Sequence, residues 1–333
     1  MAGPGIPTRG VPTRSIVAGL GGYLPERIVS NEELSRRVDT SDTWIQERTG
    51  IRQRHLASAH ETCAHMGARA AAAALADAAC AAGDVDAIIL ATSTPDQAFP
   101  ASALRVQAEL GIRRGFGFDI SAACSGFVYG LSIADGMIRT GQAGGVLVIG
   151  SEVYSRIMNW ADRGTCVLFG DGAGAAFVRA AGAGDDAGRG ILSTHLHADG
   201  TLGDLLYVDG AVGQADRPGH LVMNGREVFR HAVTKLAGVV DEALQANGLA
   251  QQDVDWLVPH QANRRIIDAM GRKLGLPPER VVVTVDRHAN TSAASIPLAM
   301  AEAYGDGRIK RGDLVLMEAL GGGMTWGAAL VRL

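Results

Sequence analysis

The chain has 333 residues with 31 basic and 35 acidic side chains, a net charge of −4 and a pI near 6.1. That length suits one large domain or two intimate halves, and the charge balance offers no basic field for nucleic acid. No apolar run approaches the roughly 20 residues that span a bilayer, so the chain does not read as a membrane protein. Cys63, Cys80, Cys124 and Cys166 are scattered without a CxxC pair. This argues against a zinc knuckle, a redox dithiol or a disulfide framework, and for a reducing cytoplasm.

In chain order, residues 1–14 are rich in Gly, Pro and Arg but lack the apolar stretch of a secretory signal, and read as a flexible tail. An alanine-rich helix is predicted over 61–82 and a buried strand at 88–90. A strand ending near Ile120 turns through small residues into a helix that runs on through 128–139. Further strands are predicted at 146–150, 256–258, 281–283 and 314–317, and helices at 225–247 and 264–274. Alternation of this kind is the mark of an α/β protein with largely buried sheets.

The chain also echoes itself. Residues 74–90 and 239–258 share an order of helix, Ala/Gly exit, Asp-Val-Asp and buried strand. Asp86 and Asp255 lie 169 positions apart, and Asp119 and Asp286 lie 167 apart. A near-constant offset predicts two duplicated halves, 15–185 and 186–333, with function where their strand-end loops meet.

Cys124, in Ala122-Ala123-Cys124-Ser125-Gly126, falls at or near a helix start. Unpaired amides and the dipole there favour a thiolate nucleophile; a buried core cysteine is the competing reading. Cys63, Cys80 and Cys166 read as core. His260 follows a buried strand into a loop and is either a catalytic imidazole or a satisfied structural one. Asn290 is read locally as an N-cap. The loop Gly321-Gly322-Gly323 can bind an oxyanion or form a tight hairpin. His195 and His197 have a spacing that could ligate metal, and strand alternation explains it equally well.

Taken in order, these segments resemble the beta-ketoacyl-acyl-carrier-protein synthase III family of the thiolase superfamily. The resemblance spans about residues 15–333. Its motifs are Ser41-Asp42-Thr43-Trp44-Ile45, Arg48-Thr49-Gly50-Ile51, Ala123-Cys124-Ser125-Gly126-Phe127 and Asp162-Arg163-Gly164-Thr165. It continues through Phe169-Gly170-Asp171-Gly172-Ala173-Gly174, His260-Gln261-Ala262-Asn263, Asn290-Thr291-Ser292-Ala293-Ala294-Ser295 and the loop from Gly321 to Gly327.

The resemblance implies a thiolase-like fold, a five-layered αβαβα sandwich of two βαβαβ halves. It also implies condensation of a short acyl-CoA with malonyl-acyl-carrier protein, without metal or other cofactor. Cys124 would carry the acyl group, with His260 and Asn290 holding the enolate and the amides of Cys124 and Gly322 the oxyanion. Trp44, Arg48, Thr49, Arg163, Gly225 and Asn263 would bind CoA. Gln261, Ala262, Asn263, Arg264 and Arg265 would dock an acidic carrier protein. Phe99 would close the acyl pocket of the partner in a homodimer. Leu320, Met324, Ala289 and Arg226 depart from residues common in the family, which leaves primer length and branching open.

Overall fold

The structure, a computed structural model, describes residues 14–210 and 219–333, so the tail read over 1–14 lies outside the described residues apart from Arg14. A first sheet holds, in spatial order, Ser15–Tyr23, Gly172–Ala180, Gly145–Glu152, Ala87–Ala91 and Phe116–Ile120. Ala87–Ala91 runs parallel to both its neighbours, and the other pairings are antiparallel. A second sheet holds Trp256–Pro259, Leu314–Gly321, Thr325–Arg332 and Gly190–Ala198, with only the first pair parallel.

The sheets match strand for strand except at one edge. The strand expected at 281–283 is reduced to a single bridge between Leu257 and Val281. The cause is a side chain. Gln261 Nε2 donates to the Val282 carbonyl at 3.1 Å, and its Oε1 accepts from Thr284 and Val285 N–H at 2.8 and 3.1 Å. Those backbone groups are thereby drawn out of any ladder.

Five layers follow from strand alternation. Ile88 and Leu90 face the outer helices Cys63–Asp77 and Ser102–Glu109, while Ile89 faces inward. Val315 and Met317 point to the same middle layer, built from Gly126–Arg139 and Ser295–Gly305. Leu314 and Leu316 face Gly225–Ala246 and Arg264–Lys273 on the other side. The alanine helix is shorter than predicted. Thr62 caps its start by accepting from His65 N–H, and it ends at Asp77, just before Ala79 turns to a φ of 51°.

The Asp-Val-Asp echo has a physical basis. Asp84 and Asp253 each accept the backbone N–H three residues earlier, at 2.8 and 2.7 Å. Asp86 accepts Gly144 N–H and Asp255 accepts Leu314 N–H, each pinning the entry of the neighbouring strand.

Candidate active site

After the strand Phe116–Ile120 the chain makes a short 3-10 turn, Ala123–Ser125, and enters the helix Gly126–Arg139 with Cys124 at the bend. The glycine loop is fastened to this turn. Thr325 Oγ1 donates to the Ala122 carbonyl at 3.0 Å, and Ser125 Oγ donates to Thr325 Oγ1 at 2.8 Å. A methyl on Gly321 would stand 2.6 Å from the Cys124 nitrogen, so only glycine lets the backbones meet. Gly322 follows directly.

Cys124 is only 4% exposed, and burial pushes its thiol up to about 12 against the opposing pull of Ser292. Desolvation is the largest cause of that shift and opposes the thiolate expected at a helix start.

His260 leaves the strand Trp256–Pro259 with its N–H donated to the Glu318 carbonyl at 2.8 Å. Burial pushes its pKa down to about 3, so the ring is neutral. Its Nδ1 lies 2.7 Å from Ser295 Oγ, which also accepts the Gln261 N–H at 3.3 Å. If the serine proton turns to Nδ1, the ring proton sits on Nε2.

Asn290 accepts Ser292 N–H on Oδ1 at 2.8 Å, a cap-like bond that leaves its NH2 for the cavity it lines. Ala289, immediately before it, is held at a φ of 58°. A positive φ of this kind favours glycine over alanine.

Cys124, His260 and Asn290 line one cavity of about 700 Å³, walled mainly by apolar side chains such as Phe169, Leu236 and Leu320. It opens, through shared residues Leu168, Met223, Gly225, Phe229 and Asn263, into an outer chamber of about 980 Å³. Trp44, Arg48, Thr49, Arg226 and Arg265 line that chamber. The Arg48 and Arg163 guanidinium carbons stand 4.7 and 5.4 Å from the Trp44 ring centre. Thr49 contributes shape rather than a hydroxyl: its Oγ1 donates to the Ile45 carbonyl and accepts Ile51 N–H.

Other predicted residues fall elsewhere. Phe99 is 84% exposed and lines no part of this cavity. Gln261 is fully buried with its amide spent on backbone groups, which corrects its reading as a docking contact. Ala262 and Asn263 line the cavity, while Arg264 is exposed and Arg265 lies 5.3 Å over the Phe229 ring. Cys63 and Cys166 are buried and Cys80 is half-buried. His195 and His197 share one carboxylate, Glu242, at 3.0 and 2.6 Å. Among the described residues no cluster is arranged for a metal ion.

Four residues around the site had no role assigned from the sequence, although Ser292 and Ser295 lie in the motif that begins at Asn290. Ser295 orients the imidazole, Ser292 stands beside the thiol, and two carboxyls, Glu152 and Glu318, are fully buried. The available signal was an acid inside an otherwise apolar strand.

Family models agree with this geometry. Residues 118–200 match 3-oxoacyl-[acyl-carrier-protein] synthase III, and residues 244–333 match the C-terminal model of the same enzyme. The beta-ketoacyl-[acyl-carrier-protein] synthase III of Acidiphilium cryptum is 70% identical over 96% of this chain and 99% of its own. The crystal structure of 3-oxoacyl-[acyl-carrier-protein] synthase III from Aquifex aeolicus VF5 superposes with a TM-score of 0.90 at 47% identity, covering 96% of this chain and all of that one. The priming beta-ketosynthase of the R1128 polyketide pathway gives 0.91 at 37% identity, over 98% and 99% of the two chains. With its thiolase-like fold and buried cysteine, this chain belongs to the beta-ketoacyl-[acyl-carrier-protein] synthase III family.

Proposed function

We propose that the protein carries out the initiating condensation of fatty acid synthesis, joining a short acyl-CoA to malonyl-acyl-carrier protein with release of CoA and carbon dioxide. The observation that carries this reading is the convergence of Cys124, His260 and Asn290 at the inner end of a tunnel with a cationic, aromatic mouth. Cys124 Sγ attacks the primer thioester, and the amides of Cys124 and Gly322 hold the oxyanion. CoA leaves along the tunnel. Trp44 and Arg163 grip its adenine, Arg48 takes its phosphates, and Gly225 and Asn263 contact its pantetheine arm. For a ring to slip between Trp44 and Arg163, the guanidinium must swing outward.

Malonyl-acyl-carrier protein then enters the same tunnel. Loss of carbon dioxide places negative charge on the thioester oxygen, where His260 Nε2–H and the Asn290 NH2 donate. A neutral imidazole suits this role, because it stays a donor across the neutral range without first being charged. The apolar walls keep water from the acyl-enzyme, which disfavours a hydrolase. The acidic carrier protein docks on Arg264 and Arg265. The protein is read as a cytoplasmic homodimer in which the exposed Phe99 closes the partner's pocket, favouring acetyl as primer. No described helix is long and apolar enough to cross a membrane. The likeness to a polyketide priming ketosynthase supports one alternative, a secondary-metabolite ketosynthase.

Acetyl-CoA alone should leave one acetyl group on the protein by intact mass, and malonyl-acyl-carrier protein should discharge it as an acetoacetyl product. Condensation surviving in Cys124→Ala would refute the assignment. A primer series from acetyl to branched and long acyl-CoAs, with carrier proteins of both pathways, separates the two readings.

A further inference from the structure

The catalytic cycle creates a proton problem that the cavity itself does not solve. The Cys124 thiol is protonated at rest, His260 is neutral with Nδ1 engaged by Ser295, and no charged residue lines the cavity. The lining itself offers the thiol proton no carboxylate.

Glu152, the last residue of the strand Gly145–Glu152, is fully buried. Its carboxyl is held by Thr92 Oγ1 at 3.2 Å, Ser93 N–H at 3.0 Å and Thr94 Oγ1 at 2.7 Å, and no ion pair among the described residues includes it. The turn Ser292–Ala294 packs directly on this strand, where a methyl on Gly150 would lie 2.1 Å from the Ala293 carbonyl oxygen. The same turn packs on the nucleophile's turn.

Ser292 sits at a φ of 50°, a strained backbone for a non-glycine residue. Its N–H is taken by Asn290, and its buried Oγ has no committed hydrogen bond. That hydroxyl is close enough to the Cys124 thiol, the Glu152 carboxyl and the Tyr154 phenol to lower the pKa of all three. Proton-transfer contacts are often long in a free enzyme and tighten with substrate.

We propose that Ser292 and Glu152 form a proton relay behind Cys124, which stores the thiol proton while the acyl group occupies the sulfur. On loading, the S–H proton passes to Ser292 Oγ as the serine proton passes to the Glu152 carboxylate. The sulfur forms its bond to the acyl carbon, the thioester bond to CoA breaks, and CoA leaves as a thiolate that takes a proton from solvent. On condensation the enolate carbon displaces Cys124, and the thiolate recovers the stored proton by the reverse passage. One solvent proton is consumed per cycle, and nothing is oxidised or reduced. Burial pushes Glu152 up to about 7, between an ordinary carboxylate and the buried thiol. The titratable groups acting with it are Cys63 from the helix Cys63–Asp77, Cys124 and Tyr154.

The proposal rests on Cys124 as the acylated residue. The test is the single-turnover rate of acetylation from acetyl-CoA, by quenched flow and intact mass, across pH 5.5–9. The wild-type rate should rise through neutrality as Glu152 ionises. Glu152→Gln and Ser292→Ala should fall by about 10²-fold and lose that inflection, and Glu152→Asp should restore much of both. A merely structural role would lower the rate and leave the inflection. Glu152→Gln acetylated at the wild-type rate, or slowed with its inflection intact, overturns the relay alone. Acetylation persisting in Cys124→Ala overturns the nucleophile assignment beneath it.

Discussion

At the inner end of the tunnel Cys124, His260 and Asn290 are 4%, 5% and 7% exposed among apolar walls without a charged neighbour on the lining. At the mouth Trp44 has two guanidinium groups close to its ring, with Arg226 and Arg265 on the same rim. The inner end keeps its ionisable groups neutral by desolvation, which suits a site where charge appears only in the transition state. The mouth keeps its charges hydrated and available, which suits the capture of an anionic nucleotide and an acidic protein. One tunnel thus divides rate from affinity along its length.

That division predicts which kinetic constant each substitution moves. Cys124→Ala should abolish acetyl loading outright, with no mass gain after prolonged incubation with acetyl-CoA. His260→Ala and Asn290→Ala should each slow decarboxylation of malonyl-acyl-carrier protein by about 10²–10³-fold with little change in KM for acyl-CoA. A large rise in that KM would erase the distinction between the two ends. Trp44→Ala should do the reverse, raising KM for acyl-CoA by roughly 2–30-fold, the range expected for a lost cation–π partner, at a nearly constant kcat.

Arg264→Glu with Arg265→Glu should raise KM for the carrier protein a few-fold, and the difference from wild type should shrink as salt is added. The smallest effects concern stability against pH. Among the described residues Glu318 has no hydrogen-bond partner on either oxygen, and burial pushes it up to about 8. The folded state therefore keeps a proton that the unfolded state sheds above about 4.5, and this contribution to stability is lost as pH rises from there to about 8. Glu318→Gln should remove the loss, raising Tm by a few degrees at pH 8 and by less at pH 5. His260 acts in the opposite sense. Its contribution is present above its unfolded pKa of about 6.5 and is lost as pH falls towards about 3.

Much of this division was legible in the chain because it is written in local motifs. The small residues around Cys124 mark the sharp turn, the strand before His260 marks its delivery, and the paired Asp-Val-Asp segments mark two equivalent strand entries. What was not legible depends on depth or on a distant side chain. The thiol was read as activated from its place at a helix start, because nothing local reveals that it is buried. The edge strand at 281–283 has the right residues, but the amide of Gln261, some twenty positions earlier, takes its hydrogen bonds. Asp119 and Asp286 share the offset but not the job. The first accepts the Ser102 and Ala103 amides at a helix start, and the second pairs with Arg287. Glu152 carries no signature of its own, and Ser292 and Ser295 lie in a recognised motif without a role attached, since each matters only through what lies beside it.

The contact between Gly321 and the Cys124 backbone also sets a schedule. The cysteine is made first, and the loop that rests on its turn follows almost two hundred residues later, Gly321 after Cys124. Until that later loop folds home, the sulfur lacks the backbone contact that closes its turn, and a nascent chain carries a thiol more open to oxidants and alkylating agents. Docking of that loop is then the step that shields the nucleophile, and damage before it docks should fall on Cys124 far more heavily than damage to the folded enzyme.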